Sequence, residues 1–416
     1  MSRLQKIALV AGFMLLVFGI GFLLYIVFFK PLVPGSNNAN LQNTSTGLPG
    51  SNENQNGKIL PGTNGTLPLS GDINANANTN AQIQQSGQGQ PLGPTASVTS
   101  LSNARTYNAT LSENGLYLYY YDRESGKFYK TDSKGNTTPL DNKIFYQVER
   151  VSWSTNREKA ILEYPDGANI VYNFSSKKQY TLPKHWTDFN FSPDSDKIIS
   201  KSIGINNENN FLIISDSTGT KTKVIRELGE NAEDVLPLWS PNNQVVGVYV
   251  RGSDLEQQEI FFIGQNSENF KSMLVEGWGF KGQWTPQGDK LLYSVYSSRT
   301  QNKPELWIVD AQSNSIGRNR RELKVETWAD KCAFYDNDTL YCAVPEGLQD
   351  NAGLFPDEMD TAPDMIYKIN ISTGSKTLVA QPDQNHTMDS IFVSPNGDSI
   401  YFTDKNDGKI YKVGIK

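Results

Sequence analysis

The sequence predicts an all-β fold, a seven-bladed β-propeller, that follows an N-terminal transmembrane helix and a disordered linker. Two recurring phrases predict the blades. The first is a large apolar residue followed by Ser/Thr-Pro, an Asp/Asn/Gln turn and a β-rich run, as at Phe191-Ser-Pro-Asp-Ser-Asp, Trp239-Ser-Pro-Asn-Asn, Trp284-Thr-Pro-Gln-Gly-Asp and Val393-Ser-Pro-Asn-Gly-Asp. Degenerate copies start at Leu111, Trp153 and Phe334, so the seven anchors are spaced by 42, 38, 48, 45, 50 and 59 residues. A period of roughly 40 to 50 residues built from strands and Gly/Asn turns suits a propeller blade. The second phrase is an apolar run ending in Asp/Asn and a Ser/Thr/Gly turn, as at Phe211-Leu-Ile-Ile-Ser-Asp-Ser-Thr-Gly and Tyr367-Lys-Ile-Asn-Ile-Ser-Thr-Gly. Two registered phrases per unit supply both hairpins of a four-stranded sheet.

The chain begins with a different signal. Ile7 through Phe29 is an uncharged run of 23 residues, long enough at about 1.5 Å per residue to cross a hydrocarbon core of roughly 30 Å. Arg3 and Lys6 precede it and Lys30 alone follows before Lys58, so the positive-inside rule places the N-terminus in the cytoplasm and the rest outside. Residues 1–30 are therefore read as a cytoplasmic N-terminus and single membrane-spanning helix. The run is too long for a signal-peptide core, and no small-x-small cleavage site follows it. Residues 31–94 are rich in Asn, Gly, Gln, Ser, Thr and Pro, with only Glu53, Lys58 and Asp72 charged. Such a segment buries too little apolar surface to offset its ordering entropy and reads as a disordered tether.

Residues 95–416 form the propeller domain. In the first phrase Pro presets φ for a turn, and Asp, Asn and Gly tolerate the conformation that follows. The runs after each turn, such as Gln244-Val-Val-Gly-Val-Tyr-Val and Lys290-Leu-Leu-Tyr-Ser-Val-Tyr, carry the β-branched and aromatic residues of packed strands. The last unit stops after its third strand, Ile410-Tyr-Lys-Val-Gly-Ile-Lys. Ala96-Ser-Val-Thr-Ser-Leu is expected to supply the missing fourth strand and cover an exposed edge. A count of six or eight follows only if blade 1 or blade 6 is misread.

These phrases resemble the TolB-like, WD-type β-propeller repeats, whose signature is an aromatic-Ser-Pro-Asp-Gly turn. The resemblance covers residues 96–416 and concerns fold. It implies a binding scaffold and carries over no catalytic residue.

Chemistry is sparsely signalled. The only histidines are His185 and His386, and there is no Gly-x-Ser-x-Gly, HExxH or phosphate-cradling glycine loop, so no catalytic residue, metal or cofactor is assigned. Both histidines are read as surface-loop residues. Asp357, Glu358, Asp360 and Asp364 cluster in one loop without EF-hand spacing; they read as solvated turn carboxylates, with calcium as the alternative. Cys332 and Cys342 flank a predicted hairpin, and the sequence leaves a disulfide and two buried thiols equally open. Net charge is −6 overall, +3 for residues 1–30, −1 for the linker and −8 for the propeller, a balance unsuited to a nucleic-acid partner.

The clearest functional signal is a loop face. Connections between blades and loops from second to third strand share one side of a propeller, and those loops are long at 202–210, 251–258, 297–304 and 345–364. The inter-blade connectors carry Tyr146, Trp186, Trp278 and Trp328. Long loops with aromatics suggest a protein-, peptide- or glycan-binding module of the cell envelope. For each tryptophan the alternative is packing between blades. Two other readings stand beside this one: an enzyme acting on glycans or small molecules at the central channel, and a structural subunit of an envelope or secretion assembly.

Overall fold

The computed structural model describes residues 95–416 apart from 267 and 269. Its strands form seven sheets, one per blade, with almost no helix. The predicted spanning helix and tether, residues 1–94, lie outside the described residues, and no helix among the described residues is long and apolar enough to cross a membrane. The first strands of the blades are Thr106–Leu111, Arg150–Trp153, Trp186–Phe191, Val235–Pro237, Trp278–Trp284, Cys332–Phe334 and Met388–Val393. Contacts between first strands link blades 1 to 4 in turn and blades 6, 7 and 1, while that of blade 5 meets the turn Ala329–Lys331 that opens blade 6, so these strands line the central channel.

The repeated phrase has a specific job. In six blades its Ser or Thr (Ser112, Ser154, Ser192, Ser240, Thr285, Ser394) accepts the N–H that opens the second strand, at 2.9–3.2 Å. The same hydroxyl donates to an Asn or Asp two or four residues on. Three residues after it the backbone is left-handed, at Gly115, Arg157, Ser195, Asn243, Gly288 and Gly397. The hydroxyl organises the turn, which explains why blades 1 and 2 keep it without the proline. Blade 6 lacks the hydroxyl and uses Asp336, which accepts the N–H groups of Asp338 and Thr339 at 2.9 and 2.7 Å. The turns also tie blades together: Thr155 donates to the Ser192 carbonyl at 2.9 Å and Asn242 to that of Gly288 at 2.6 Å.

Ring closure follows the expectation and adds to it. Val98–Ser100 pairs antiparallel with Ile410–Gly414, matching Val98 to Val413 and Ser100 to Tyr411, as the outer strand of blade 7. Unexpectedly, Thr95–Ala96 also pairs in parallel with Lys376–Pro382, the outer strand of blade 6. Asp383 holds the crossing, its N–H donating to the Ala96 carbonyl at 3.0 Å and its carboxylate accepting Val98 N–H at 3.3 Å. One segment thus stitches two blades at the rim.

The core lies between the blades. Tyr121, Phe128, Phe145, Tyr172 and Phe174 fill the space between blades 1 and 2, and Phe262, Phe280, Trp284 and Tyr293 that between blades 4 and 5. Middle strands are covered on both faces, so Ala160–Leu162 and Leu291–Val295 read as continuous buried runs. First and third strands run in the same direction. The hydroxyl-organised turns therefore lie on one face of the disc, and the long loops with the inter-blade connectors on the other.

Candidate functional site: the loop face and the channel mouth

The structure separates the four residues that the sequence singled out. Tyr146 projects from the connector between blades 1 and 2 and is 67% exposed. Trp186 is buried in the first strand of blade 3 against Leu182, Phe189 and Ile198. Trp328 is buried beneath the blade 6 loop against Leu348, Ala352 and Met359. Trp278 is half-buried; its indole N–H donates to the Leu255 carbonyl at 3.0 Å and its ring lies against Gly252, bracing the hairpin of blade 4. Trp186 and Trp328 are thus core side chains rather than contact residues. A connector turns inward from an outer strand to the next inner one, so an aromatic there is covered by the neighbouring blade.

Other residues occupy the exposed positions. Ile205 on the blade 3 loop, Leu255 at the tip of the blade 4 hairpin, and Leu354 and Phe355 on the blade 6 loop are exposed, the first two almost completely. None of them is an aromatic of an inter-blade connector, the feature by which the sequence marks the loop face. The available signal was a lone bulky apolar residue amid polar neighbours at a loop tip, as in Asp254-Leu255-Glu256.

The channel mouth holds a buried ionic cluster. Lys331 Nζ lies 2.7 Å from Asp360 Oδ1 and 2.8 Å from Asp364 Oδ2, all three side chains being buried. Asp364 Oδ2 also accepts Met388 N–H at 2.6 Å, joining the blade 6 loop to the first strand of blade 7. Burial pushes the Asp364 carboxyl up to about 6, and the Lys331 ammonium offsets only part of that. Asp360 and Asp364 are therefore not solvated, as the sequence had suggested, but neutralised by a lysine of the preceding connector. His386 is likewise buried, not a surface residue: its Nδ1 lies 2.5 Å from Asp404 Oδ2, its ring packs on Tyr411 and Phe402, and its Nε2 has no partner among the described residues. His185 is exposed, as expected.

Along the channel the first strands of blades 1, 3, 5 and 7 each contain one extra residue relative to their partners. Such bulges re-aim side chains. Asn108 and Asp188 adopt left-handed backbone within them, at φ 46° and 53°. Asn108 accepts Val151 N–H of blade 2 at 3.0 Å, and Asp188 lies 3.6 Å from Arg150 and 2.7 Å from Lys201. Beside them a cavity of about 600 Å³ opens on blades 7, 1 and 2, lined by Arg105, Tyr107, Arg150, Trp153 and Asp389 among others. Surrounding protein, and after it the Asp330 carboxylate, push the Asp389 carboxyl up although it faces the channel. Burial raises Glu163, which Arg150 offsets in part from 3.9 Å.

Comparison with solved structures supports the architecture. An oligogalacturonate lyase in complex with manganese aligns over 77% of this chain and 93% of its own, at 14% identity and a TM-score of 0.51. The oligogalacturonate lyase of Vibrio parahaemolyticus aligns over the same shares at 13% identity and a TM-score of 0.53. The β-propeller domain of Cps50 (Swd1) from Myceliophteria thermophila covers 76% of this chain and 98% of its own, at 10% identity and a TM-score of 0.52. At such identities the likeness shows the fold alone, and the resemblance to TolB-like and WD-type repeats holds at that level. No family model and no curated protein matches the chain.

Among the described residues, no group of three or more His, Cys, Asp or Glu side chains is placed to hold a metal ion. The calcium alternative for the 357–364 loop has no such donor set, because Lys331 occupies its two buried carboxylates. Cys332 and Cys342, directly opposed in the first hairpin of blade 6, are joined by a disulfide with Cα atoms 4.1 Å apart.

Proposed function

We propose that this chain is a membrane-anchored, extracytoplasmic propeller that binds a protein or peptide of the cell envelope through its loop face and performs no chemistry of its own. The observation that carries the reading is the presentation of Tyr146, Ile205, Leu255 and Phe355 at the tips of that face. An Ile or Leu left in water forgoes about 1.5–3 kcal/mol of burial. Apolar side chains held out on several loops of one face suit an interaction surface. The tether lets the disc search the layer outside the membrane, as the charge distribution around residues 7–29 suggests.

The test is a crosslinking pull-down from membranes. Wild type is compared with a Tyr146→Ser, Ile205→Ser, Leu255→Ser, Phe355→Ser variant whose folding is checked by circular dichroism. A partner captured by wild type and lost by the variant supports the reading; equal capture removes it.

A second reading has an observation of its own. The cavity on blades 7, 1 and 2 falls within the roughly 300–1,000 Å³ typical of small-molecule sites, and it combines Arg150, Tyr107 and Trp153 with the raised carboxyl of Asp389. A glycan or small molecule handled there would make this an enzyme, and Asp389→Asn would abolish turnover without altering partner capture.

A further inference from the structure

The loop face is uneven in charge. On blades 3 and 4 it carries a set of exposed carboxylates that includes Glu208, Glu230, Glu233, Asp234, Asp254 and Glu276. None is paired with a cation among the described residues: Lys201 lies 2.7 Å from Asp188, Arg251 lies 2.5 Å from Glu259, Arg299 pairs with Glu305 and Glu322, and Arg226 stands exposed on the outer strand of blade 3. The same loops present Ile205 and Leu255, at 104% and 93% exposure. Their backbone is already fixed. Asn210 accepts Gly204 N–H at 3.0 Å and donates to the Gly229 carbonyl at 2.9 Å, binding the blade 3 loop to the next connector. At the blade 4 tip, Trp278 holds the Leu255 carbonyl, Gly277 N–H donates to the Glu256 carbonyl at 2.8 Å, and Ser298 donates to the Glu256 carboxylate at 2.6 Å.

We infer that this sector docks a basic segment of a partner protein, in which Lys or Arg residues flank bulky apolar side chains; the inference rests on the loop-face reading above. Carboxylates without internal partners attract a cationic segment and repel an acidic one. Two apolar tips on ordered loops supply contacts without an added ordering cost. The carboxylates are spread over several loops, and no three converge on a point suited to an ion. That distribution fits an extended cationic chain rather than a bound metal.

The test uses the full-length protein in nanodiscs and a fluorescein-labelled peptide of alternating Lys and Leu, followed by anisotropy. An all-Lys peptide and an alternating Glu and Leu peptide are the probes for charge alone and apolar content alone. Binding of the Lys/Leu peptide is expected to weaken about tenfold or more in Glu230→Lys/Glu233→Lys, and comparably in Ile205→Ser/Leu255→Ser. Leu116→Ser on the opposite face leaves it unchanged. The inference is overturned if both double variants bind like wild type, or if either control peptide binds as tightly as the Lys/Leu peptide. A partner that crosslinks to the loop face yet is indifferent to Glu230→Lys/Glu233→Lys removes this inference and leaves the loop-face reading standing. A partner that never contacts that face removes both.

Discussion

Replacing Lys331 by Met is the sharpest test of the buried cluster. Met fills similar volume, so the loss is one of charge rather than packing. Asp364 would keep only the Met388 N–H as a donor, and Asp360 would keep Lys405 at 3.7 Å. Removing one partner of a buried ion pair costs about 3–5 kcal/mol, because the remaining charge is uncompensated. The size of the loss also depends on pH. In wild type the folded-state pKa of Asp364, about 6, lies above the ordinary aspartate value of 3.8. Its contribution to stability is therefore fully present below about pH 4 and is lost as pH rises through about 6. Without Lys331 the carboxyl rises further, so acid neutralises it and restores part of the stability. Urea unfolding followed by tryptophan fluorescence reads this directly, since the Trp328 ring lies 5.9 Å from Lys331 Nζ. The expected result is a loss of about 3–5 kcal/mol at pH 8 that shrinks clearly at pH 5. Lys281→Met, which breaks a half-exposed pair with Asp330, should cost under about 1 kcal/mol. A Lys331→Met loss below about 1 kcal/mol, or one equal at both pH values, would refute the assignment.

Other consequences are checked by the same unfolding measurement. Replacing Cys332 and Cys342 together by Ala opens a short loop whose closure entropy is worth about 2–3 kcal/mol, and reduction of wild type should give a similar loss. Gly115→Ala should be far more damaging than Gly347→Ala: both have positive φ near 70°, but a Cβ on Gly115 would stand 2.1 Å from Pro395 Cγ of blade 7, whereas nothing lies within 4 Å of the other. Trp328→Ala is expected to cost about 3–5 kcal/mol as a core deletion, while Tyr146→Ala should change stability by less than about 0.5 kcal/mol. Comparable losses in that last pair would contradict the burial pattern.

The architecture was legible because it repeats. A Ser or Thr hydroxyl at a fixed place in each turn, followed by a strand covered on both sides, leaves the same trace in six blades, and the unfinished seventh unit announced its need for an outer strand. The channel was not legible, because its chemistry is assembled within a blade from residues far apart in sequence. Lys331 meets Asp360 and Asp364 from 29 and 33 residues away, and His386 meets Asp404 from 18. No local pattern distinguishes these buried groups from solvated loop residues. The bulges at Asn108 and Asp188 are equally silent, since an inserted residue leaves the repeat intact. The tryptophans misled for a related reason: a large aromatic at a connector serves the fit between blades, and only the path of the chain shows that it points inward. The parallel addition of Thr95–Ala96 to blade 6 involves two residues, too few to leave a strand pattern.

The central claim is that one face of the disc meets a partner, and site-specific photocrosslinking in intact membranes tests it most directly. A photoreactive residue is placed at Leu255 or Phe355 on the loop face, and at Leu116 or Tyr335 on the opposite face, all four side chains being exposed. The account predicts a discrete crosslinked species from the first two positions and none from the others. Crosslinks from Leu116 or Tyr335 alone would contradict it.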